Sequence, residues 1–351
     1  MNIKVSQEKM DILLSKLSEK YKILAPKAFK NEGRYSYDDD IRYGEISNFQ
    51  EIVFEKKSSA SPKEVLLPIN HTLSVTIGDT TVDTTADKDE RDILIFLHPC
   101  DIHGISRIDN TFQGDSFYDN RRNKMKFVMM ECIENGWDSC FCTCLKTNKT
   151  DNYSFGIKIV GDEILIKSQD EDFNDYFQDC AKVTTDIDMY FVEENKIEVK
   201  IPHIETWDKM TLDKVKNLEF WNEYANRCIG CGSCNMACLT CTCMPIVKVT
   251  NSENGNIIER KRIWGGCQLV KAPSLKNNSL SQIVPKRIAQ RVLDKFYRPQ
   301  LKESKEQKCV GCGRCTDVCP KLISFPATVN RLAEELEKIY GEFGRGEITN
   351  D

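Results

Sequence analysis

An α+β fold in two parts is what this sequence predicts: an N-terminal α/β-type domain over residues 1–210 and a helical domain over residues 211–351. Three observations predict it. Before Pro202, short apolar runs of strand length alternate with polar turns. After Pro202 the pattern turns helical. The 17 cysteines avoid residues 1–99 and become dense after Arg227. A chain of 351 residues is long enough for two cores. Its 40% hydrophobic and 29% charged content is ordinary for a soluble globular protein.

Taken in order, residues 5–20 carry Val5, Ile12, Leu13 and Leu17 at roughly helical spacing. The N-terminus mixes Lys4, Glu8, Lys9 and Asp11 with isolated apolar residues, so it reads as an amphipathic helix and not a signal peptide. Strands are expected at 52–54, 73–77 and 93–97, the last a short apolar run typical of a buried strand, with a polar, acidic loop over 79–92. Residues 127–130 form a further strand leading to Cys132. Segments 155–160 and 163–167, separated by Gly161-Asp162, read as a hairpin, and 188–192 with 197–201 as a second one around Glu194-Asn195. Helices are then expected at 212–227, at 285–297, where Pro285 starts a run with Ile288, Val292 and Phe296 at i, i+4, i+8, and at 331–340, ended by Gly341. No apolar run approaches the roughly 18–20 residues that span a bilayer. The expected location is the cytoplasm.

An odd number of cysteines in a chain of this length argues against a disulfide scaffold and for metal ligands or catalytic thiols. The net charge of −5 hides an asymmetry: residues 162–194 hold eleven Asp/Glu against two Lys, and residues 256–308 hold thirteen Lys/Arg against four Asp/Glu. The basic stretch reads as a solvated face, or as a docking face or charge compensation for neighbouring thiolates. No stacking aromatics accompany it, so nucleic acid is not expected as a partner.

The strongest signal is Cys228-Ile-Gly-Cys231-Gly-Ser-Cys234-Asn-Met-Ala-Cys238, which recurs as Cys309-Val-Gly-Cys312-Gly-Arg-Cys315-Thr-Asp-Val-Cys319-Pro320. Both have the C-x2-C-x2-C-x3-C spacing of a [4Fe–4S] site. Three thiolates two residues apart on a tight loop can each reach a different iron of one cube. Gly230, Gly232, Gly311 and Gly313 let the backbone fold closely around it. Backbone N–H groups freed by that fold can donate to the sulfurs. In two-cluster proteins the fourth cysteine of each run serves the other cluster. Cluster I is therefore expected on Cys228, Cys231, Cys234 and Cys319, and cluster II on Cys309, Cys312, Cys315 and Cys238. Zinc would favour separated C-x2-C pairs, which this packing does not resemble.

Nine cysteines remain. Cys100 follows one expected strand, Cys132 another, and Cys140-Phe-Cys142 a loop. These four could converge at the carboxyl edge of a sheet, where sites of α/β folds gather. A third [4Fe–4S] cluster, a zinc ion and inert buried thiols are the readings of that set. Cys144 and Cys180 read as incidental. Cys241-Thr-Cys243 follows the first quartet, and Cys267 follows a polar turn at 254–256. Alternative ligands, a further metal site and thiols beside the clusters all stay open for these three. Trp264 reads as a core residue or as a shield for a cluster. His71, His98, His103 and His203 show no catalytic pairing, and His98 reads as structural. Neither G-x-G-x-x-G after a strand nor a Walker A motif is present, so a nucleotide or FAD site of familiar type is missing. The chain has no evident catalytic site of its own for a hydride.

With those residues in hand, the chain resembles the A subunit of anaerobic sulfite reductase along nearly its whole length. The matching features are Ala25-Pro26, Gly33-Arg34-Tyr35-Ser36, Pro68-Ile69, Cys100-Asp101 with Ser106-Arg107-Ile108-Asp109, Cys140-Phe141-Cys142, and Thr147-Asn148-Lys149-Thr150-Asp151. They continue through Cys241-Thr242-Cys243, Arg262-x-Trp264-x-x-Cys267 and the two quartets. More loosely, it is similar to the β subunits of cytoplasmic sulfhydrogenases. The resemblance implies an iron–sulfur relay with two partners: a flavoprotein subunit that binds FAD and NAD and accepts electrons from NADH, and a sirohaem subunit that reduces sulfite to sulfide. It also implies an α-helical ferredoxin fold for the C-terminal part. Leu239 stands where proline usually follows the fourth cysteine, which makes Cys241 the alternative to Cys238.

Overall fold

The computed structural model describes residues 1–84, 89–178, 182–183, 186–201, 209–224, 226–250, 255–269, 284–297 and 306–340. The chain opens with β1 (Asn2–Ser6) and α1 (Gln7–Ser18), followed by β2 (Tyr21–Phe29), β3 (Asp40–Glu45) and the one-turn α2 (Lys63–Leu66). The pair β4 (Asn70–Ile77) and β5 (Thr80–Asp83) leads to β6 (Asp92–Leu97), α3 (Pro99–Phe112), α4 (Ser116–Asn123) and β7 (Met125–Met130). Next come β8 (Phe155–Val160), β9 (Glu163–Ser168), α5 (Asn174–Gln178) and β10 (Lys182–Val183). The C-terminal part holds α6 (Lys209–Lys216), α7 (Ser233–Met236), β11 (Ile246–Thr250), β12 (Ile257–Ile263), α8 (Val284–Phe296), α9 (Arg314–Asp317) and α10 (Phe325–Tyr340).

One sheet has eight strands in the order β10-β1-β9-β8-β7-β6-β2-β3. Its centre, β2, β6, β7 and β8, is parallel, and antiparallel strands flank it on both sides. A parallel centre must be covered on both faces, and the period-2 alternation does this. Leu94, Phe96, Val128 and Met130 join α1 residues Met10, Leu13, Leu14 and Leu17 in one core. Ile93, Ile95, Leu97, Phe127 and Met129 join α3 residues Ile102, Ile105 and Ile108 in another. Ser6 caps α1 through its hydroxyl, which accepts from the Lys9 amide at 3.4 Å. A third core gathers α8, α10, Trp221 and Tyr224 against Phe141 and Leu145.

The fold is α+β, with mixed sheets and helices. The 155–160/163–167 hairpin forms as β8–β9, and α8 and α10 cover the two later helices; Gly341 lies outside the described residues. Several expectations are corrected. Residues 188–201 form no second hairpin, because side chains take up backbone groups that a ladder would have used: Glu131 accepts from the Tyr190 amide at 2.5 Å and Asn330 from the Lys200 amide at 2.8 Å. Residues 52–54 contribute only an isolated bridge from Ile52 to Lys27, on the edge of β2 opposite β3, where β6 already pairs with Tyr21–Leu24. The loop expected over 79–92 contains β5, and the helix expected from 212 stops at Lys216, before a 3-10 turn at Glu219–Tyr224.

The C-terminal part is also not wholly helical. A second sheet, β11-β12-β4-β5, draws strands from both sides of residue 210. Arg262 of β12 forms an ion pair with Asp115 just ahead of α4. Among the described residues, no helix is long and apolar enough to cross a membrane.

Candidate iron–sulfur sites

Parallel strands β6 and β7 run side by side and end together, so the residues following them meet at the carboxyl edge of the large sheet. There His98-Pro99-Cys100 opens α3, with Pro99 at the first helical position, and Cys132 follows β7. The loop carrying Cys140 and Cys142 folds over the same edge. Cys132 lies within charge–charge range of Cys140 and Cys142, and Cys100 within range of Cys142. Burial is the main force pushing the Cys100 and Cys132 thiols up, and it raises Cys142 to about 12. His98 is held neutral, brought down to about 4 chiefly by burial; its Nδ1 lies 3.3 Å from the Met130 carbonyl and 3.6 Å from Cys132 Sγ. Asn195 braces the Cys142 loop: its Oδ1 accepts from the Thr143 amide at 2.9 Å and from Cys142 Sγ at 3.4 Å.

The second quartet is packed directly onto this loop. Gly311 and Gly313 have φ of +67° and +73°, and a Cβ at Gly311 would stand 2.6 Å from Cys142 Cα. Only glycine permits both the left-handed turn and the approach. The Phe141 amide donates to the Gly311 carbonyl at 2.8 Å and Thr147 Oγ1 to the Val310 carbonyl at 2.8 Å. Lys57 Nζ donates to the Cys312 carbonyl at 3.0 Å and Ser139 Oγ at 2.6 Å, pairs with Asp317 at 2.7 Å, and lies 3.7 Å from Cys140 Sγ. Beneath them Arg314 and Asp101, 2% and 0% exposed at their side chains, form a two-pronged ion pair at 2.5 and 2.6 Å.

The two quartets face one another. One cavity is lined by Cys228, Cys231, Cys234, Cys315 and Cys319. Cys238 lies within charge–charge range of Cys309, Cys312 and Cys315 as well as of Cys234. Burial leads in pushing Cys234 up to about 11 and Cys309 and Cys315 to about 12. Among the described residues, no three His, Cys, Asp or Glu side chains are posed to hold a single metal ion. An iron–sulfur cluster spreads its thiolate ligands around a larger group than a single ion.

The charges around the thiols test the fit of such a group. Arg291 and Lys295, one turn apart on α8, are 8% and 5% exposed, and Lys63 of α2 is 2% exposed. None forms an ion pair with a carboxylate among the described residues. A buried cation without an anion is costly. Burial alone would weaken the Arg291 charge, but Cys234, Cys315, Cys238 and Cys267 more than offset it. Lys295 is raised in the same way by Cys238 and Cys241, while its Nζ donates to Thr240 at 2.7 and 3.0 Å. Thiolates around anionic clusters would supply the missing negative charge, so the residues fit iron–sulfur groups.

Cys241, Cys243 and Cys267 come together beside the first quartet, Cys241 in range of Cys238 and Cys267 in range of Cys234. Cys243 lies in range of Cys241 and Cys267, and Asn235 Nδ2 reaches Cys241 Sγ at 3.6 Å and Cys267 Sγ at 3.5 Å. Trp264 is anchored by its Nε1 on the Leu67 carbonyl at 2.9 Å, with Lys63 Nζ 3.8 Å above its ring. Cys144 accepts from the Val199 amide at 3.3 Å, and Cys180 lies outside the described residues. Sequence reasoning passed over Lys57, Lys63, Asn195, Asn235, Arg291, Lys295 and the pairing of Asp101 with Arg314. One signal was available: Arg287, Arg291 and Lys295 share the i, i+4, i+8 spacing of the apolar stripe beside them.

Residues 227–323 match the family model described as a 4Fe-4S dicluster domain. The chain is 22% identical over 346 residues to sulfhydrogenase 2 subunit beta of Pyrococcus furiosus, covering 95% of this chain and 99% of that protein. No solved structure matches it. Both matches support an iron–sulfur electron-transfer subunit: an α+β chain with a 4Fe-4S dicluster domain in its C-terminal part, distantly related to a sulfhydrogenase beta subunit.

Proposed function

We propose that this chain is the electron-transfer subunit of an anaerobic sulfite reductase, with [4Fe–4S] clusters on Cys228, Cys231, Cys234 and Cys319, on Cys309, Cys312, Cys315 and Cys238, and on Cys100, Cys132, Cys140 and Cys142. When bound, the clusters supply single-electron carriers with potentials set by burial, charge and hydrogen bonds to sulfur. The observation that carries the reading is the row these thiols make. Exposed Cys231 marks one end. The Cys309–Cys315 loop lies in the middle, sharing the neighbourhood of Cys238 with the first quartet. The Cys100 site lies beyond it, joined through the contact between Cys140 Sγ and the Cys312 carbonyl at 3.6 Å. Arg291, Lys295 and Lys57 hold positive charge along the row and oppose the build-up of negative charge.

The choice of a sulfite-reducing complex rests on the motif set from Ala25-Pro26 through Arg262-x-Trp264-x-x-Cys267, and implies a flavoprotein that oxidises NADH and a sirohaem subunit as partners. A second reading, the β subunit of a cytoplasmic sulfhydrogenase or sulfur reductase, is favoured by the full-length relative. Anaerobic purification of the intact complex separates them. Flavin and sirohaem in the co-purifying subunits support the first reading; nickel in a partner, with hydrogen-dependent dye reduction, replaces it with the second.

A further inference from the structure

We propose that Cys241, Cys243 and Cys267 bind a further iron–sulfur cluster, separate from the two quartets and from the Cys100 site. The inference rests on the iron–sulfur reading of the quartets and goes beyond it.

The β11–β12 hairpin builds the site. Its base is closed by the Ile263 amide donating to the Pro245 carbonyl at 3.1 Å and the Gly265 amide to the Cys243 carbonyl at 2.7 Å. This closure returns Cys267 to the loop that carries Cys241 and Cys243. Gly265 and Gly266 allow the return, since a Cβ would lie 2.9 Å from Pro245 Cδ at the first and 2.5 Å from the Asn235 side chain at the second.

The surroundings are those of sulfur acting as an acceptor. Asn235, 3% exposed, donates through Nδ2 to Cys241 and Cys267, and Gln268, 2% exposed, donates through Nε2 to Cys267 Sγ at 3.4 Å. Such donors to ligating sulfur are a feature of iron–sulfur sites. Lys63 and Lys295 approach the same loop from two other elements, Lys63 Nζ lying 3.4 Å from the Cys241 carbonyl and Lys295 Nζ reaching Thr240. With three neutral thiols, burial would press Lys63 towards its neutral form, and Lys295 would have only Asp294, already paired with Lys308, in range among the described residues. A cluster held by three thiolates provides the negative charge.

On the quartet assignment proposed above, eight other cysteines fill the eight places the two cubes require. Three cysteines suit a cubane with one iron left to a ligand that is not cysteine, or a cubane lacking that iron.

The test is iron and acid-labile sulfide per chain, with Mössbauer spectra, on the anaerobically purified complex carrying Cys243→Ser or Cys243→Ser/Cys267→Ser, against the parent. The expected result is a loss of about three to four irons per chain, with the spectral components that Cys231→Ser and Cys312→Ser abolish left in place. Iron content equal to the parent's overturns the inference. Because the double variant could fail to fold, the unmodified complex is also measured: its spectrum must contain iron beyond the components removed by Cys231→Ser, Cys312→Ser and Cys132→Ser, and its absence is a second way to overturn the proposal. A parent chain without iron defeats the quartet reading as well, whereas iron-loaded quartets beside an unaltered Cys243→Ser variant defeat this inference alone.

Discussion

The large sheet and the quartet region are assembled by different forces. In the sheet, β6 and β7 present apolar side chains to both faces, and α1 and α3 cover them with fully buried leucines and isoleucines. In the quartet region, α7 and α9 are four residues each, too short to hold themselves together, and they enclose thiols and buried cations. The first region is stabilised by removing hydrocarbon from water. The second has an apolar floor in α8 and α10, but its roof brings together charges that need a counter-charge. One chain thus joins a self-sufficient scaffold to a region whose folding free energy includes the binding of its inorganic groups.

The largest expected effect tests that difference directly. Stripping iron with a chelator under reducing conditions should open residues 226–340 to proteolysis while the large sheet stays protected, as read by limited digestion and hydrogen exchange. Equal loss of protection in both regions would erase the contrast. Next in size is the ion pair that joins them. Asp101→Ala strands the Arg314 guanidinium in a buried site and should cost about 3–5 kcal/mol in denaturant unfolding of the iron-loaded chain. Asp101→Leu/Arg314→Met, which removes both charges, should recover most of that loss.

A matched pair of core truncations sharpens the comparison. Leu94→Ala in β6 should cost about 2–5 kcal/mol whether or not iron is bound. Leu332→Ala in α10 should cost a similar amount only in the iron-loaded chain, because the iron-free region has less packing left to lose. The smallest effect is at the cap of α1: Ser6→Ala should cost about 1 kcal/mol and leave iron content unchanged.

How much was legible depended on the range of the interaction concerned. The β8–β9 hairpin follows from Gly161-Asp162 and the alternation around it, and β6 from a bare apolar run, because both are set within a few residues. The strands β2 and β3 passed unnoticed: β2 is apolar on both faces and interrupted by Pro26, and it becomes a strand by pairing with β6 and β3. The segment 188–201 has strand-like alternation but spends its amides on Glu131 and Asn330, which no local pattern reveals. Likewise β11 and β12 passed unnoticed on either side of the polar turn expected at 254–256, and their role appears only when β12 pairs with β4.

The candidate sites divide the same way. The two quartets were determined by the sequence alone, since C-x2-C-x2-C places three thiols on one loop whatever surrounds it. The convergence of Cys100, Cys132, Cys140 and Cys142 was foreseeable from two strand ends. Tertiary structure alone decided the rest: that Gly311 and Gly313 seat the second quartet against Cys142, that Asp101 meets Arg314, that Lys63 and Lys295 are buried beside Cys241, and that a hairpin carries Cys267 back to Cys243. Ligand spacing within a loop is a short-range covalent property. Which buried charges and thiols share a site is settled only when distant segments pack together and every buried charge must find its complement.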